Sequence, residues 1–137
     1  MDALKNQLGA VVIGRNEGER LRACLQSLTK TLNHVVYVDS GSTDQSVEIA
    51  NALGVTVIEL DMSVPFTAAR ARNVGANGLL QINPTIKYLQ FVDGDCGVVE
   101  FWIEKAAEAL DNAPRIGIVT GWRSEIAPDA TVYNAMV

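Results

Sequence analysis

An α/β fold, with a mostly parallel sheet covered by helices on both faces, is what this sequence predicts, and three observations predict it. Short apolar runs rich in β-branched residues alternate with stretches of helical periodicity. The third run begins about ten residues after the second helix does, which is the spacing of a βαβ unit. Three of the apolar runs, ending at Ile13, Val38 and Val92, pass directly into polar loops that carry acids. Alternation of this kind builds a parallel sheet, whose strand ends share one edge, and open α/β sheets bind their ligands at the carboxyl edge.

The first strand is the run Leu8-Gly9-Ala10-Val11-Val12-Ile13-Gly14, apolar throughout as in a strand buried on both faces. Arg15-Asn16-Glu17-Gly18 follows, and then Leu21, Cys24, Leu25 and Leu28 recur at helical spacing. Asn16 with Glu19 three residues on predicts an N-cap and its capping-box acid. His34-Val35-Val36-Tyr37-Val38 is the second strand and ends at Asp39. Ser42 with Gln45 predicts another capping box, Val47, Ala50 and Leu53 a buried helical stripe, and Gly54 the stop.

Val55-Thr56-Val57-Ile58-Glu59-Leu60 reads as the third strand. Pro65 opens a helix predicted over 66–80, in which Gly75 and Gly78 each cost about 1 kcal/mol relative to alanine. Glycines there mark close packing, a backbone near a ligand, or, for Gly78, a frayed end. After the turn Asn83-Pro84-Thr85, the stretch from Ile86 to Val92 is the fourth strand, expected at the centre of the sheet. A helix over 98–110 carries Phe101, Trp102, Ala106, Ala109 and Leu110, and 116–120 reads as a fifth strand. Beyond Trp122 the periodicity is weak.

A chain of 137 residues has the length of one domain. Its 48% hydrophobic and 20% charged residues are a globular balance. A net charge of −5 excludes nucleic acid as a bulk partner, since no basic stripe exists to displace counterions. No apolar run approaches the roughly 20 residues of a bilayer span and no signal-peptide layout opens the chain, so a cytoplasmic protein is expected. Cys24 and Cys96 lack the spacing of a zinc site or a disulfide framework. Cys24 reads as a core residue and Cys96 as a neighbour of the acids.

The chemistry concentrates in Phe91-Val92-Asp93-Gly94-Asp95. Asp-Gly-Asp alone is a common turn signal. At the end of an apolar strand, though, Gly94 lets the chain turn so that Asp93 and Asp95 face one volume. Two close carboxylates repel unless a cation sits between them, and an all-oxygen donor set suits Mg²⁺ or Mn²⁺. Such an ion recruits phosphates. Neither G-x-G-x-x-G nor G-x-x-x-x-G-K-[ST] is present, so metal and arginine must neutralise a diphosphate. Arg70 and Arg72, two apart on a helix, point to different faces, and at most one enters the crevice.

Four motifs in this order, Val12-Ile13-Gly14-Arg15-Asn16-Glu17, Val38-Asp39-Ser40-Gly41-Ser42-Thr43-Asp44, Ala71-Arg72-Asn73-Val74-Gly75 and Phe91-Val92-Asp93-Gly94-Asp95, resemble family 2 glycosyltransferases of the GT-A fold. The resemblance covers residues 8 to 121 and implies a Rossmann-like nucleotide-sugar transferase whose C-terminal part is missing after about 121. It implies an inverting transfer from a nucleotide-diphosphate sugar, most often a UDP-sugar, with Mn²⁺ or Mg²⁺. Asn16 and Glu17 then lie beside the nucleoside, Asp39 binds the base, Arg72 supports the nucleotide, Asp93 lies near the ribose and joins the metal set, and Asp95 is the principal metal ligand; Arg15, at the end of the first strand, meets the acids in the same crevice and joins the donor-binding set. Asn83-Pro84 lengthens the segment before the acids relative to the family pattern. The general base that deprotonates the acceptor is not identified, and Glu125 and Asp129 are the acids in that region.

Two other functions compete. Haloacid dehalogenase-type phosphatases also place Asp-x-Asp after an apolar strand, but near the N-terminus and with Thr or Val two residues past the second acid, where this chain has Gly97. A non-catalytic donor-binding or assembly module is the other; apolar surface left uncovered there seeks a partner, and a homodimer is expected. His34 receives no role.

Overall fold

A computed structural model of the chain describes residues 5–132 and 134. The chain divides into two compact units, Met1–Glu100 and Phe101–Val137.

In the first unit β1 (Leu8–Gly14), α1 (Glu19–Thr29), β2 (His34–Asp39), α2 (Ser46–Ala52), β3 (Thr56–Glu59), α3 (Ala68–Ile82) and β4 (Tyr88–Asp93) follow one another. The four strands form an all-parallel sheet in the order β3-β2-β1-β4. β1 and β2 are thus flanked on both sides by ladders, and β1 is apolar throughout because side chains of both parities are buried. β4, expected in the centre, lies at the edge of this sheet, and Phe91 is exposed.

The register sets the ends level. Gly14 pairs with Asp39, Ile13 with Asp93 and Asp39 with Glu59, so the acids that follow the strands emerge along one carboxyl edge. Side chains of one parity, Val11, Ile13, Val36 and Val38, form a core with Ala71 and Leu79 of α3. Those of the other parity, including Ala10, Val12 and Tyr37, are buried as well, and α1, whose buried stripe is Leu21, Cys24, Leu25 and Leu28 as the spacing predicts, runs with α2 along β1, β2 and β3.

Gly75 settles why α3 carries glycine. A Cβ there would stand 2.3 Å from Val11 Cγ1 and 2.9 Å from Val38 Cγ2, inside van der Waals contact. At Gly78 the same test meets Ile58 Cδ1 at 2.5 Å. Both glycines mark close packing on the sheet.

The capping boxes differ from expectation. Gly18 is the N-cap of α1 and Gln45 that of α2, neither with a side-chain bond. Asn16 and Ser42 are used instead to join two loops, where cross-loop partners take the place of local capping. Among the described helices only α3 is capped by a side chain, Thr67 Oγ1 accepting from Arg70 N–H at 3.0 Å.

In the second unit α4 (Trp102–Asn112) begins after Phe101, whose φ is 64°. It starts later than predicted and turns Ile103 and Ala107 inward in place of the predicted stripe. Trp102 lies close to Gly121, where a Cβ would stand 2.8 Å from its ring. Residues 116–120 form no strand, and Ile118 is 81% exposed. An apolar run becomes a strand only where a neighbour's backbone completes its ladder, and here none does. No helix of the described residues is long and apolar enough to cross a membrane.

Candidate functional site

The site is assembled from the loops after β1, β2 and β4 and from the start of α3. The β1–α1 and β2–α2 loops are fastened by Asn16, whose backbone sits in the left-handed region at φ 54°, a conformation asparagine tolerates better than most residues. Its N–H donates to Ser42 Oγ at 2.9 Å, and its Oδ1 accepts from Thr43 N–H at 2.7 Å and Asp44 N–H at 3.3 Å. Gly18 N–H adds a bond to Ser46 Oγ at 3.2 Å.

Asp39 organises the second loop. It is 2% exposed, and both carboxylate oxygens are taken up inside the protein. Oδ1 accepts from the Tyr37 hydroxyl at 2.7 Å and from the Ser42 hydroxyl. Oδ2 accepts from Gly41 N–H at 3.1 Å and Ser42 N–H at 2.8 Å. Gly41, at φ 79°, supplies the left-handed turn that aims its N–H at the carboxylate. Burial, and then donation to Asp39, holds the Tyr37 phenol well above its ordinary pKa.

β4 delivers the other acids. Gly94 N–H donates to Ile13 O at 2.8 Å and Cys96 N–H to Asp93 O at 2.9 Å, which closes the Asp-Gly-Asp turn against the end of β1. The Cys24 thiol reaches the same Asp93 carbonyl from below at 3.7 Å. Its pKa is pushed up to about 12 by burial, so it is an inert core thiol. Cys96 donates to Asp95 Oδ1 at 3.4 Å.

Above this edge opens a cavity of about 380 Å³. Arg15 and Glu17 line it from the first loop, Ser40 from the second, Phe66, Ala68 and Arg72 from α3 and the residues before it, and Asp93, Gly94 and Asp95 from the fourth. Arg72 Nη2 lies 3.0 Å from Asp93 Oδ1. Both side chains are half-exposed, so the pair is worth at most about 1 kcal/mol and can yield to a ligand. Arg70 turns away, its guanidinium donating to Val64 O at 3.3 Å.

Glu17 lies beside the ends of β1 and β4, its Cγ 3.1 Å and 3.2 Å from where Cβ atoms on Gly14 and Gly94 would be. Burial raises its pKa, opposed by Arg20 at 3.0 Å and reinforced by Asp95, Asp44 and Asp93. Its Oε2 is buried and, the Arg20 ion pair apart, makes no hydrogen bond.

Of the residues singled out from the sequence, the cavity brings together Arg15, Glu17, Arg72, Asp93 and Asp95. Asn16 and Asp39 stand behind its wall, spent on loop structure. Glu125, in the second unit, accepts from Ala127 N–H at 3.1 Å, and Asp129 is exposed. His34 Nε2 lies 3.0 Å from Asn83 Nδ2. Sequence reasoning missed Ser40 and Phe66. Position directly after the strand-ending Asp39 was the available signal for Ser40, and an aromatic in the polar lead-in to α3 was that for Phe66.

Among the described residues no three His, Cys, Asp or Glu side chains form a metal-binding group. Asp93 and Asp95 still suit a hard cation of the Mg²⁺ kind, which keeps several waters and is held by one or two carboxylates plus substrate phosphates.

A parallel sheet with these loops at its carboxyl edge is the GT-A arrangement, and the comparisons agree. Residues 10–135 match the family described as Glycosyl transferase family 2, and the chain belongs to that family. The match continues past residue 121, where the motif resemblance ends. Glycosyltransferase AglE of Haloferax volcanii is 28% identical over 100 residues, 69% of this chain and 32% of its own length. The uncharacterized glycosyltransferase YibD of Escherichia coli K12 is 35% identical over 95 residues, 66% of this chain and 26% of its own. The chain thus spans about a third of these relatives. Glucosyl-3-phosphoglycerate synthase from Mycobacterium tuberculosis, in complex with Mn²⁺, UDP and glucosyl-3-phosphoglycerate, shares the fold at TM-score 0.54 and 20% identity, over 79% of this chain and 41% of that one.

Proposed function

We propose that this chain is the donor-binding part of an inverting, metal-dependent glycosyltransferase that uses a nucleotide-diphosphate sugar, with a UDP-sugar as the leading candidate. One observation carries the proposal. Two arginines and three carboxylates from three separate segments converge on a single cavity large enough for a nucleoside diphosphate. The fold neighbour described with Mn²⁺ and UDP supports it.

In this mechanism Asp93 and Asp95 hold the cation, and Arg15 and Arg72 face the diphosphate, Arg72 leaving Asp93 as the phosphates arrive. A bound Mn²⁺ or Mg²⁺ supplies Lewis-acid stabilisation of the departing nucleoside diphosphate. Asn16 ties the two loops to each other, and Asp39 keeps the second loop in shape. The acceptor and its general base belong to the proposal only as classes, a hydroxyl and a carboxylate, and the cytoplasmic location is tested by fractionation.

Calorimetry with UDP, GDP and dTDP, each with and without Mn²⁺, tests the assignment. Metal-dependent binding of one nucleotide is expected, and Asp95→Ala should weaken it by about 10- to 100-fold, the worth of a lost charge-assisted contact. Equal binding with and without Mn²⁺, untouched by Asp95→Ala, would contradict it. A second reading, a non-catalytic assembly module that pairs with a partner or with itself, is favoured by the outer position of β4 in the described sheet and by the exposed Phe91. Donor binding without turnover of any sugar is its signature.

A further inference from the structure

Ile13 pairs with Asp93, and the next residue on each strand's path is a glycine, Gly14 at the end of β1 and Gly94 in the acidic turn. Neither has a positive φ, so backbone freedom does not call for glycine at either place. What excludes a side chain there is Glu17, whose Cγ would stand 3.1 Å from a Cβ on Gly14 and 3.2 Å from one on Gly94. The two glycines leave a notch about 4.8 Å wide, one strand spacing, and the stem of Glu17 fills it. That stem is fixed from both directions. Asn16 and Gly18, on either side of Glu17, both have φ 54°, and each donates its N–H across the loops, to Ser42 Oγ and Ser46 Oγ. At the far end the carboxylate meets Arg20 at 3.0 Å, its Oε2 is sealed from solvent, and only 18% of the side chain is exposed.

We infer that Glu17 is a positioning residue of the donor site: its stem is the spacer between the ends of β1 and β4 that sets where the turn presents Asp93 and Asp95, and it acts through shape, not charge. The inference rests on the donor-site proposal above and adds no ligand contact to it. Gly94 stands between the two acids, so whatever fixes Gly94 fixes both carboxylates. Its N–H is bonded to Ile13 O at 2.8 Å, which ties the backbone, and Glu17 supports the side that the bond leaves open. Ile13 O and Leu21 Cδ1 also stand 3.2 Å and 3.4 Å from where a Cβ on Gly94 would be. One is a backbone atom and the other is rooted in α1, so Glu17 is the wall that a substitution can move. A functional constellation must be held to about 0.5 Å, less than the stem's removal leaves free. The head group, for its part, is already paired with Arg20 and opposed by Asp95 and Asp93.

The experiment measures UDP binding with Mn²⁺ by calorimetry, and the Mn²⁺ paramagnetic resonance spectrum of the UDP complex. It uses the wild type, Glu17→Gln, Glu17→Met, Glu17→Ala, Gly14→Ala and the double variant of the last two. Glu17→Gln and Glu17→Met keep the stem and should bind UDP within about fivefold of the wild type, the most that an exposed ion pair contributes, with the same spectrum. Glu17→Ala empties the notch and should weaken binding by about 10- to 100-fold, as loss of a residue behind a metal set does, with an altered spectrum. Gly14→Ala pushes the stem toward Gly94 and should weaken binding too. Added to Glu17→Ala it should bring no further loss, a coupling of about tenfold between the two sites. Urea midpoints of every variant keep loss of fold apart from loss of position, and if Glu17→Ala does not fold, Gly14→Ala set against Glu17→Met decides alone. Glu17→Gln or Glu17→Met binding as weakly as Glu17→Ala is what a donor contact through the carboxylate would give. That result, binding untouched by Glu17→Ala, or losses at Glu17 and Gly14 that multiply overturns the inference and leaves the donor site standing. Failure of the wild type to bind UDP with Mn²⁺ overturns both.

Discussion

Replacement of Asp39 separates a loop-building role from a ligand-reading one. Its carboxylate accepts from two hydroxyls and two backbone N–H groups, at 2.7 Å to 3.1 Å where the distances are ordinary, and it is buried. Asp39→Ala strands the Tyr37 phenol and the Gly41 and Ser42 N–H groups. Hydrogen bonds to a charged group contribute about 1.5–3 kcal/mol each and are not additive, so the loss is on the order of 4–6 kcal/mol. Against a total of about 5–15 kcal/mol for a domain, that is enough to unfold a large share of the protein. Asp39→Asn behaves differently. Its amide oxygen can face the two N–H groups, and its NH₂ can donate to hydroxyls that rotate to accept, leaving a cost of about 1–2 kcal/mol for the lost charge. Urea unfolding followed by circular dichroism measures both variants, with nucleotide titration of Asp39→Asn alongside. Asp39→Ala unfolding at the wild-type midpoint, with nucleotide affinity lost instead, would refute the structural assignment.

Two further outcomes follow from the packing and the charge. Gly75→Ala gains about 1 kcal/mol of helix propensity but forces α3 off Val11 and Val38, an overpacking cost of about 1–3 kcal/mol, so thermal unfolding should show a net loss. Gly78→Ala, which meets only the movable end of Ile58, should be closer to neutral, and equal losses at both sites would contradict this. Glu17, with its pKa raised chiefly by burial, binds more protons folded than unfolded between the ordinary glutamate value and the raised one, so it lowers stability as pH rises through that window. Glu17→Gln should therefore exceed the wild type in stability at neutral pH and converge on it in acid, read from denaturation midpoints across pH; a deficit constant with pH would count against it.

The residues alone determined the α/β class, the order of the first four strands along the chain, the buried stripe of α1 and the acids at strand ends. Each of these is a local pattern, apolar periodicity broken by polar loops, and local patterns are legible without neighbours. Asn16, Ser42 and Asp39 carried side chains that suit a cap, a turn or a ligand equally well, and only the tertiary structure decided that Asn16 and Ser42 join two loops while Asp39 holds the second loop together. The edge position of β4, the missing ladder at 116–120 and the reason for Gly75 also waited on tertiary contacts. A strand's rank in a sheet and the space beside a Cα depend on residues far away in sequence. For the same reason Ser40 and Phe66, unremarkable in the chain, stood out only once the fold placed them among the residues that line the cavity with Asp93 and Asp95.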